Sequence, residues 1–321
     1  MLNIALPRKI GAEEIDPVFL KDVIVEGQSE ENVFDLSQKV FGSITRRPSS
    51  IAPISNIINF DFSNVYFSQP SGITILSNLI HWLRQRGVTV NYSGANPSFE
   101  ALKFLDDSNF FEICFNQRIN PNSSSRPTTK PLKLIDRAHS HDWAALEVVP
   151  WLKRITSINA PSLVALSVCL KELINNIGDH SSEQIGSTFA QFYPKNKNVV
   201  ISISDFGVGI PANIKKFLET RESNNDVSDS WCIVKACERG FSTQSSIGNK
   251  GVGLAYLIET VVNAYGGKVI ILSGKAKVMM LPQHSPIQIQ NSWFYPGCLI
   301  DIHIPTDKIP IITDEEDEFE W

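Results

Sequence analysis

The sequence predicts an α/β protein of the α+β sandwich kind, built as two units. Three observations lead there. Strand-like and helix-like patterns alternate between residues 57 and 111, a second series of helices and strands runs from 146 to 305, and the polar, proline-rich stretch INPNSSSRPTTKPLK at 119–133 lies between them. At 321 residues the chain exceeds a typical domain of about 100 to 200 residues, and 42% hydrophobic against 20% charged residues lets each half bury its own core.

Residues 1–47 show apolar periodicity (Val18, Phe19, Val23 and Val25, then Val33, Phe34, Leu36, Val40 and Phe41) without a chemical motif. They read as an extension that supplies a first strand and an extra helix to the unit at 48–118. In that unit IINFDFSNVYF (57–67) is rich in β-branched and aromatic residues and reads as a strand. SGITILSNLIHWLRQRG (71–87) has apolar residues at helical spacing and stops at Gly87, VTVNYSG (88–94) is a short strand, and PSFEALKFLDDSNFF (97–111) is a helix opened by Pro97. The stretch 119–133 breaks both helix and strand and reads as an interdomain linker.

Charge and cysteine content narrow the function classes. The formal net charge is −5, and six acids lie between Asp314 and Glu320, so the body is nearly neutral and the tail at 307–321 is acidic. No basic stripe with interleaved aromatics marks a nucleic-acid surface, and no run of about 18 apolar residues suits a bilayer. The opening MLNIALPRKIGAEEID lacks a basic stretch followed by an apolar signal core, so a cytoplasmic protein is expected. Five cysteines without framework spacing fit reduced thiols, and Cys232 and Cys237 lack the further ligands of a structural zinc site.

The residues that point to chemistry lie in 134–306. LEVVPWLKRITSI (146–158) and PSLVALSVCLKELINNIGDHS (161–181) read as helices, the second with Leu163, Leu166, Leu170 and Leu173 on an apolar stripe. On its other side Glu172, Asn176 and His180 recur every four residues and share one face, which taken alone also fits a solvated surface. VVISISDFGVGIP (199–211) is a strand entering a glycine turn, with Asp205 ahead of Gly207, Gly209 and Ile210. A glycine loop follows, with Gly248, Lys250, Gly251 and Gly253, then a helix from about Leu254, a glycine stop and a strand. Backbone N–H groups of such a loop can approach phosphate. The spacing at 248, 251 and 253 is neither the dinucleotide fingerprint nor the Walker loop. Asp205-Phe206-Gly207 imitates a protein-kinase tripeptide, but the catalytic loop that should precede it is missing.

In order and spacing these residues resemble the GHKL family of gyrase, Hsp90 chaperones, histidine kinases and MutL, over about 170 residues. Glu172, Asn176 and His180 match its asparagine box, Asp205, Gly207, Gly209 and Ile210 its first glycine box, and Gly251, Gly253 and Leu254 the end of its second. PGCLIDIHIP (296–305) looks like its closing strand. The resemblance implies a Bergerat-type ATP-binding domain with a mixed sheet packed against helices, and ATP and Mg2+ as cofactors. It implies Asn176 as the metal ligand, Asp205 as acceptor for the adenine amino group, Glu172 as the proton-handling catalytic residue, and residues 222–247 as a lid. Lys250 would neutralise phosphate or simply be solvated. The 23 residues at 275–297 exceed the short turn usual before the last strand.

The N-terminal stretch Asp61-Phe62-Ser63 through Ser68-Gln69-Pro70-Ser71-Gly72 resembles a STAS domain, the module of anti-sigma-factor antagonists, over about 75 residues. The position phosphorylated in that family falls on Pro70, which has no hydroxyl. Ser71 reads better as a helix N-cap than as a substitute acceptor. Together the two resemblances imply an ATP-dependent regulator, an ATPase or a serine/threonine kinase of the anti-sigma type, with a regulatory protein partner for the STAS-like unit and room for a homodimer. A non-catalytic nucleotide switch is the competing class, and a histidine-kinase-like signalling protein a further one, although neither His139 nor His141 resembles the phosphorylated histidine.

Overall fold

The computed structural model describes residues 2–10, 56–135, 143–180, 185–221, 226–241 and 253–312, with backbone alone at 177–180 and 292–293. The N-terminal unit is a parallel sheet of β1 (Leu2–Ala5), β3 (Ile57–Asp61) and β5 (Thr89–Ser93), in the order β1-β3-β5, with the small pair β2 (Lys9–Ile10) and β4 (Phe67–Ser68) beside it. Period-two alternation sends Ile4, Ile58, Phe60 and Val90 inward. The opposite face carries Asn3, Asn59 and Asn91 in register across the three strands.

Parallel neighbours need a crossover, and between β3 and β5 it is α1 (Pro70–Gln85). Pro70 occupies the first helical position, where its fixed φ suits the helix and its missing N–H loses no bond. Gln69 is therefore the N-cap and Ser71 lies inside the first turn, so the expected N-cap role of Ser71 is corrected; Ser71 is also completely buried. The helix closes with Gly87 N–H bonded to Arg84 O and Val88 N–H to Leu83 O, a Schellman pairing that occupies carbonyls otherwise left open. Ile73, Ile75, Leu76, Leu79, Ile80 and Leu83 are all fully buried, and a helix apolar on several sides must lie between layers.

The single helix expected at 97–111 is two, α2 (Glu100–Asp107) and α3 (Phe110–Phe115). Asn109 takes a left-handed conformation (φ 62°) at the break, and Ser108 O there accepts the N–H of Leu132. The stretch 119–133 is correspondingly not a free linker. Asp106 accepts the N–H groups of Ile119 (3.1 Å) and Asn120 (2.9 Å), Asp107 accepts from Ser124 N (3.3 Å) and Arg126 Nε (2.9 Å), and β6 (Thr129–Leu134) joins the second sheet. Two buried carboxylates satisfy backbone that composition alone assigns to solvent.

That second sheet has the order β6-β7-β8-β10-β9, with β7 (Ile185–Tyr193), β8 (Asn198–Phe206), β9 (Lys268–Met280) and β10 (Ile287–Pro305). Every adjacent pair is antiparallel, which corrects the expected mixed sheet. β8 and β9 do run the same way after their helical connection, but β10 lies between them. The 23 residues at 275–297 are absorbed by the long β9–β10 hairpin, whose ladder reaches Met279 opposite Ile287.

One face of this sheet carries the helices α4 (Val149–Thr156), α5 (Val164–His180), α6 (Ile210–Glu219), α7 (Asp229–Ala236) and α8 (Gly253–Leu257). Leu163, Leu166, Leu170 and Leu173 pack there with Ile201, Ile203, Ile271, Ile300 and Ile302, as the leucine stripe predicts. The other face carries the N-terminal unit. Ile185, Phe189, Phe206, Leu272, Tyr295 and Leu299 belong to the same core as Phe60, Ile75, Leu79 and Phe110, so the N-terminal unit shares its core with the sheet, while the C-terminal half buries a second one on the helix side. Among the described residues no helix is long and apolar enough to cross a membrane.

A shared core predicts shared unfolding. Phe189 is fully buried on β7 and meets Phe104 of α2 edge to face at 6.1 Å. Phe189→Ala is expected to cost about 3–5 kcal/mol and to lower the urea midpoint equally for tryptophan probes confined to Trp82 or to Trp151. A shift in one probe alone would show two independent domains.

Candidate functional site

Strand β8 presents the two sides of the site by simple alternation. Ile201 and Ile203 face the helices, and Asp205 follows them on that face, while Ser202, Ser204 and Phe206 face the N-terminal unit. Asp205 stands in one row with Gly186 of β7 and Cys298 of β10. It is 4% exposed, its Oδ1 accepts the Cys298 N–H at 2.9 Å, and burial pushes its carboxyl up to about 7 against the partial relief of that bond. An acidic side chain this deeply buried, with only the Cys298 N–H and its own backbone N–H to relieve it, is poised to accept a further donor from a ligand.

The turn after β8 is built by close approaches. Gly209 opens α6 at φ 81°, and a Cβ there would come within 2.8 Å of Gly297 O and of Ser273 Oγ. Gly297, at φ 91°, faces the backbone of Asp205, where a Cβ would meet Asp205 O at 2.4 Å and Gly207 N at 2.6 Å. Ser273 Oγ ties the turn together, accepting from Ile210 N at 2.9 Å and donating to Gly297 O at 2.6 Å. Ile210 itself is half-buried against the helix-side core. Ser273, Gly297 and Cys298 are the residues that sequence reasoning missed; the only signal was the Pro-Gly-Cys step ahead of the closing strand.

Helix α5 brings Glu172 and Asn176 to a half-buried edge of the same sheet face, one turn apart. Gly253, first residue of α8, abuts them: a Cβ at 253 would lie 3.1 Å from Asn176 Nδ2 and 3.5 Å from Glu172 Cβ. Leu254 packs against the core beside it. The structure therefore joins the end of the glycine loop to the Glu172–Asn176 face. The backbone of His180 closes α5, and its side chain lies outside the described residues, as do Gly248, Lys250 and Gly251. His139 and His141 also fall outside them.

The expected lid at 222–247 is corrected in its middle. Residues 229–236 form α7, capped by Ser228 Oγ on Trp231 N (3.1 Å). Asp229 pins that helix to β9 through Lys275 N (2.7 Å) and to α6 through Lys215 Nζ (2.6 Å). Residues 222–225 and 242–247 lie outside the described residues. Burial raises the thiols of Cys232 to about 11 and Cys237 to about 12, so both are protonated near neutral pH. Among the described residues no three His, Cys, Asp or Glu side chains converge on a metal position.

The donor set fits the groups that the sequence suggests. Asn176 offers a hard amide oxygen suited to Mg2+ shared with phosphate and water, and Asp205 offers a buried acceptor suited to an amino group. No family model, curated protein or solved structure matches the chain.

Asp205 also predicts a pH dependence of stability. Its unfolded carboxyl ionises near 4, whereas the folded one holds its proton until about 7. The folded state therefore loses stability as pH rises through that window. Thermal melts between pH 4 and 8 are expected to show this loss in the wild type and a flatter profile in Asp205→Asn; parallel profiles would mean that Asp205 does not titrate in this range.

Proposed function

We propose that the chain is an ATP-binding regulatory protein with Mg2+-dependent ATPase or serine/threonine kinase activity. The observation that carries this is the contact of Gly253 with Glu172 and Asn176, on the sheet face that also bears buried Asp205. Three segments far apart in sequence, each resembling one nucleotide-binding box of the GHKL ATPases, are thereby gathered on one side of one sheet. Asp205 would accept from the adenine amino group, Asn176 would hold Mg2+ against the phosphates, and Glu172 would take a proton from water or an acceptor hydroxyl. Bound Mg2+ would supply charge neutralisation at the phosphates.

In this reading the STAS-like unit has a changed task. Its family phosphorylation position is Pro70, the neighbouring Ser71 is fully buried, and the helix both belong to is enclosed by the sheet of the other half. A regulatory protein partner would meet the outward face of β1, β3 and β5, with its row Asn3, Asn59 and Asn91. The same burial favours one alternative, a nucleotide-dependent switch in which the N-terminal half accepts no phosphate.

Calorimetry with Mg-ATP and Mg-GTP tests the binding step. ATP is expected to bind more tightly, and Asp205→Asn to weaken it by about ten- to a hundredfold, as loss of a buried charge-assisted bond of about 1.5–3 kcal/mol implies. Equal binding of both nucleotides, or of neither, would remove the reading.

Turnover tests the class. Glu172→Gln keeps shape and hydrogen bonding, so Mg-ATP binding is expected to survive while phosphate release or transfer falls by roughly a hundredfold, the scale of general-base catalysis. Asn176→Ala is expected to weaken Mg-ATP binding itself. Wild-type turnover in Glu172→Gln would make Glu172 a bystander, and a wild type that binds without turnover would establish the switch.

A further inference from the structure

The face of β8 opposite Asp205 is held by a side chain from the N-terminal unit. Asn78, fully buried on α1, donates from Nδ2 to Ser204 Oγ at 2.9 Å, and its Oδ1 accepts from Ser187 Oγ at 2.8 Å. Ser204 Oγ is hydrogen-bonded in turn to Tyr295 Oη of β10. One amide thus spans β7 and β8 directly and β10 through a single hydroxyl.

The geometry of β10 shows why such a hold matters. Its register against β9 shifts on both sides of Tyr295, between Gln290 and Tyr295 and again between Tyr295 and Leu299. Its ladder with β8 begins only at the pair Cys298–Asp205. Upstream of Cys298 comes Gly297, which has no side chain to pack. The segment that delivers the Cys298 N–H to Asp205 Oδ1 is held from the helix side by Ser273 Oγ on Gly297 O and from the other side by the Tyr295 ring and hydroxyl, seated on Ser204 and edge to face with Phe206 at 5.7 Å.

We propose that Asn78 is a positioning residue for the nucleotide pocket: acting through Ser204 and Tyr295, it holds the ends of β8 and β10 so that the Cys298 N–H stays on the Asp205 carboxylate. Its functional meaning rests on the nucleotide-binding reading; its geometry does not. Among the described residues the titratable groups coupled to Asp205 are Tyr295 and Cys298 of β10 and, beyond Cys298, Cys237 after α7; burial raises all three, so each is neutral near pH 7. Burial, opposed by the Cys298 N–H and more weakly by the backbone N–H of Asp205 itself, then sets the Asp205 titration, and withdrawing the Cys298 N–H moves it to higher pH.

The test uses the full chain with carboxyl-labelled aspartate, following Asp205 by NMR across pH and identifying its signal by its loss in Asp205→Asn. Asn78→Ala and Tyr295→Phe are compared with Thr74→Val, which removes a 3.0 Å bond to Ser202 on the same helix face without touching the Ser204–Tyr295 link. The Asp205 midpoint is expected to rise by roughly half a unit or more in the first two and to stay in place in Thr74→Val, with Mg-ATP affinity at pH 7 falling about threefold or more in the first two only. An unchanged midpoint in both Asn78→Ala and Tyr295→Phe overturns the proposal, and so does an equal rise in Thr74→Val, which would mark general loosening of the seam. Should Asn78→Ala fail to fold, Tyr295→Phe, which keeps the ring, decides alone. A wild type that binds no nucleotide would refute the proposed function, while the carboxyl titration would still judge the positioning role.

Discussion

The buried seam between α1 and the five-stranded sheet is the constraint on which the molecule depends. A helix enclosed between two sheets has no water to satisfy its polar side chains, and an orphaned buried group costs about 1–3 kcal/mol. Thr74 and Asn78, one turn apart, meet Ser202, Ser204 and Ser187, and Ser187 Oγ also donates to Thr74 O at 3.1 Å. Polar groups therefore sit opposite polar groups within an otherwise apolar layer. The match fixes the rotation of α1 and, with it, how the N-terminal unit lies on the sheet.

Much of this is legible in the sequence, and the limits have physical causes. Helix α5 follows from its leucine stripe, because one of its faces is buried, whereas the strand ahead of Asp205 and the closing strand, covered on both faces, follow from short β-branched runs bounded by turn residues. Helix α1 is also legible as a helix, but its enclosure is not. Thr74 and Asn78 stand one turn apart, and no local rule shows that serines far away in the chain, on alternate positions of β7 and β8, are their partners. The stretch 119–133 misleads for a related reason: its backbone is satisfied by Asp106 and Asp107, which lie on a preceding helix.

The candidate site shows the same division. Glu172, Asn176, Asp205, Gly209 and Gly253 can be singled out from spacing, since each belongs to a local pattern around a helix start or a strand end. Ser273, Gly297 and Cys298 cannot, because their roles exist only once β9 and β10 lie beside β8. Gly297 is the sharper case. Its lack of a side chain is required by the backbone of Asp205, far earlier in the chain, and a nearby Pro-Gly step looks like any turn.

The two borders of the five-stranded sheet have a consequence for solubility. Border strands expose backbone that another chain can extend, a route to fibrils. On β6 the border carries Pro131, which cannot donate, and its register shifts between Lys130 and Lys133, so the ladder is interrupted with a cation on either side. On β9, thirteen residues long, Lys268, Lys275 and Lys277 place charge along the strand and α7 packs against it. A flat apolar border of that length would template its own copies; here proline, broken register and lysine give the sheet two ends that resist continuation.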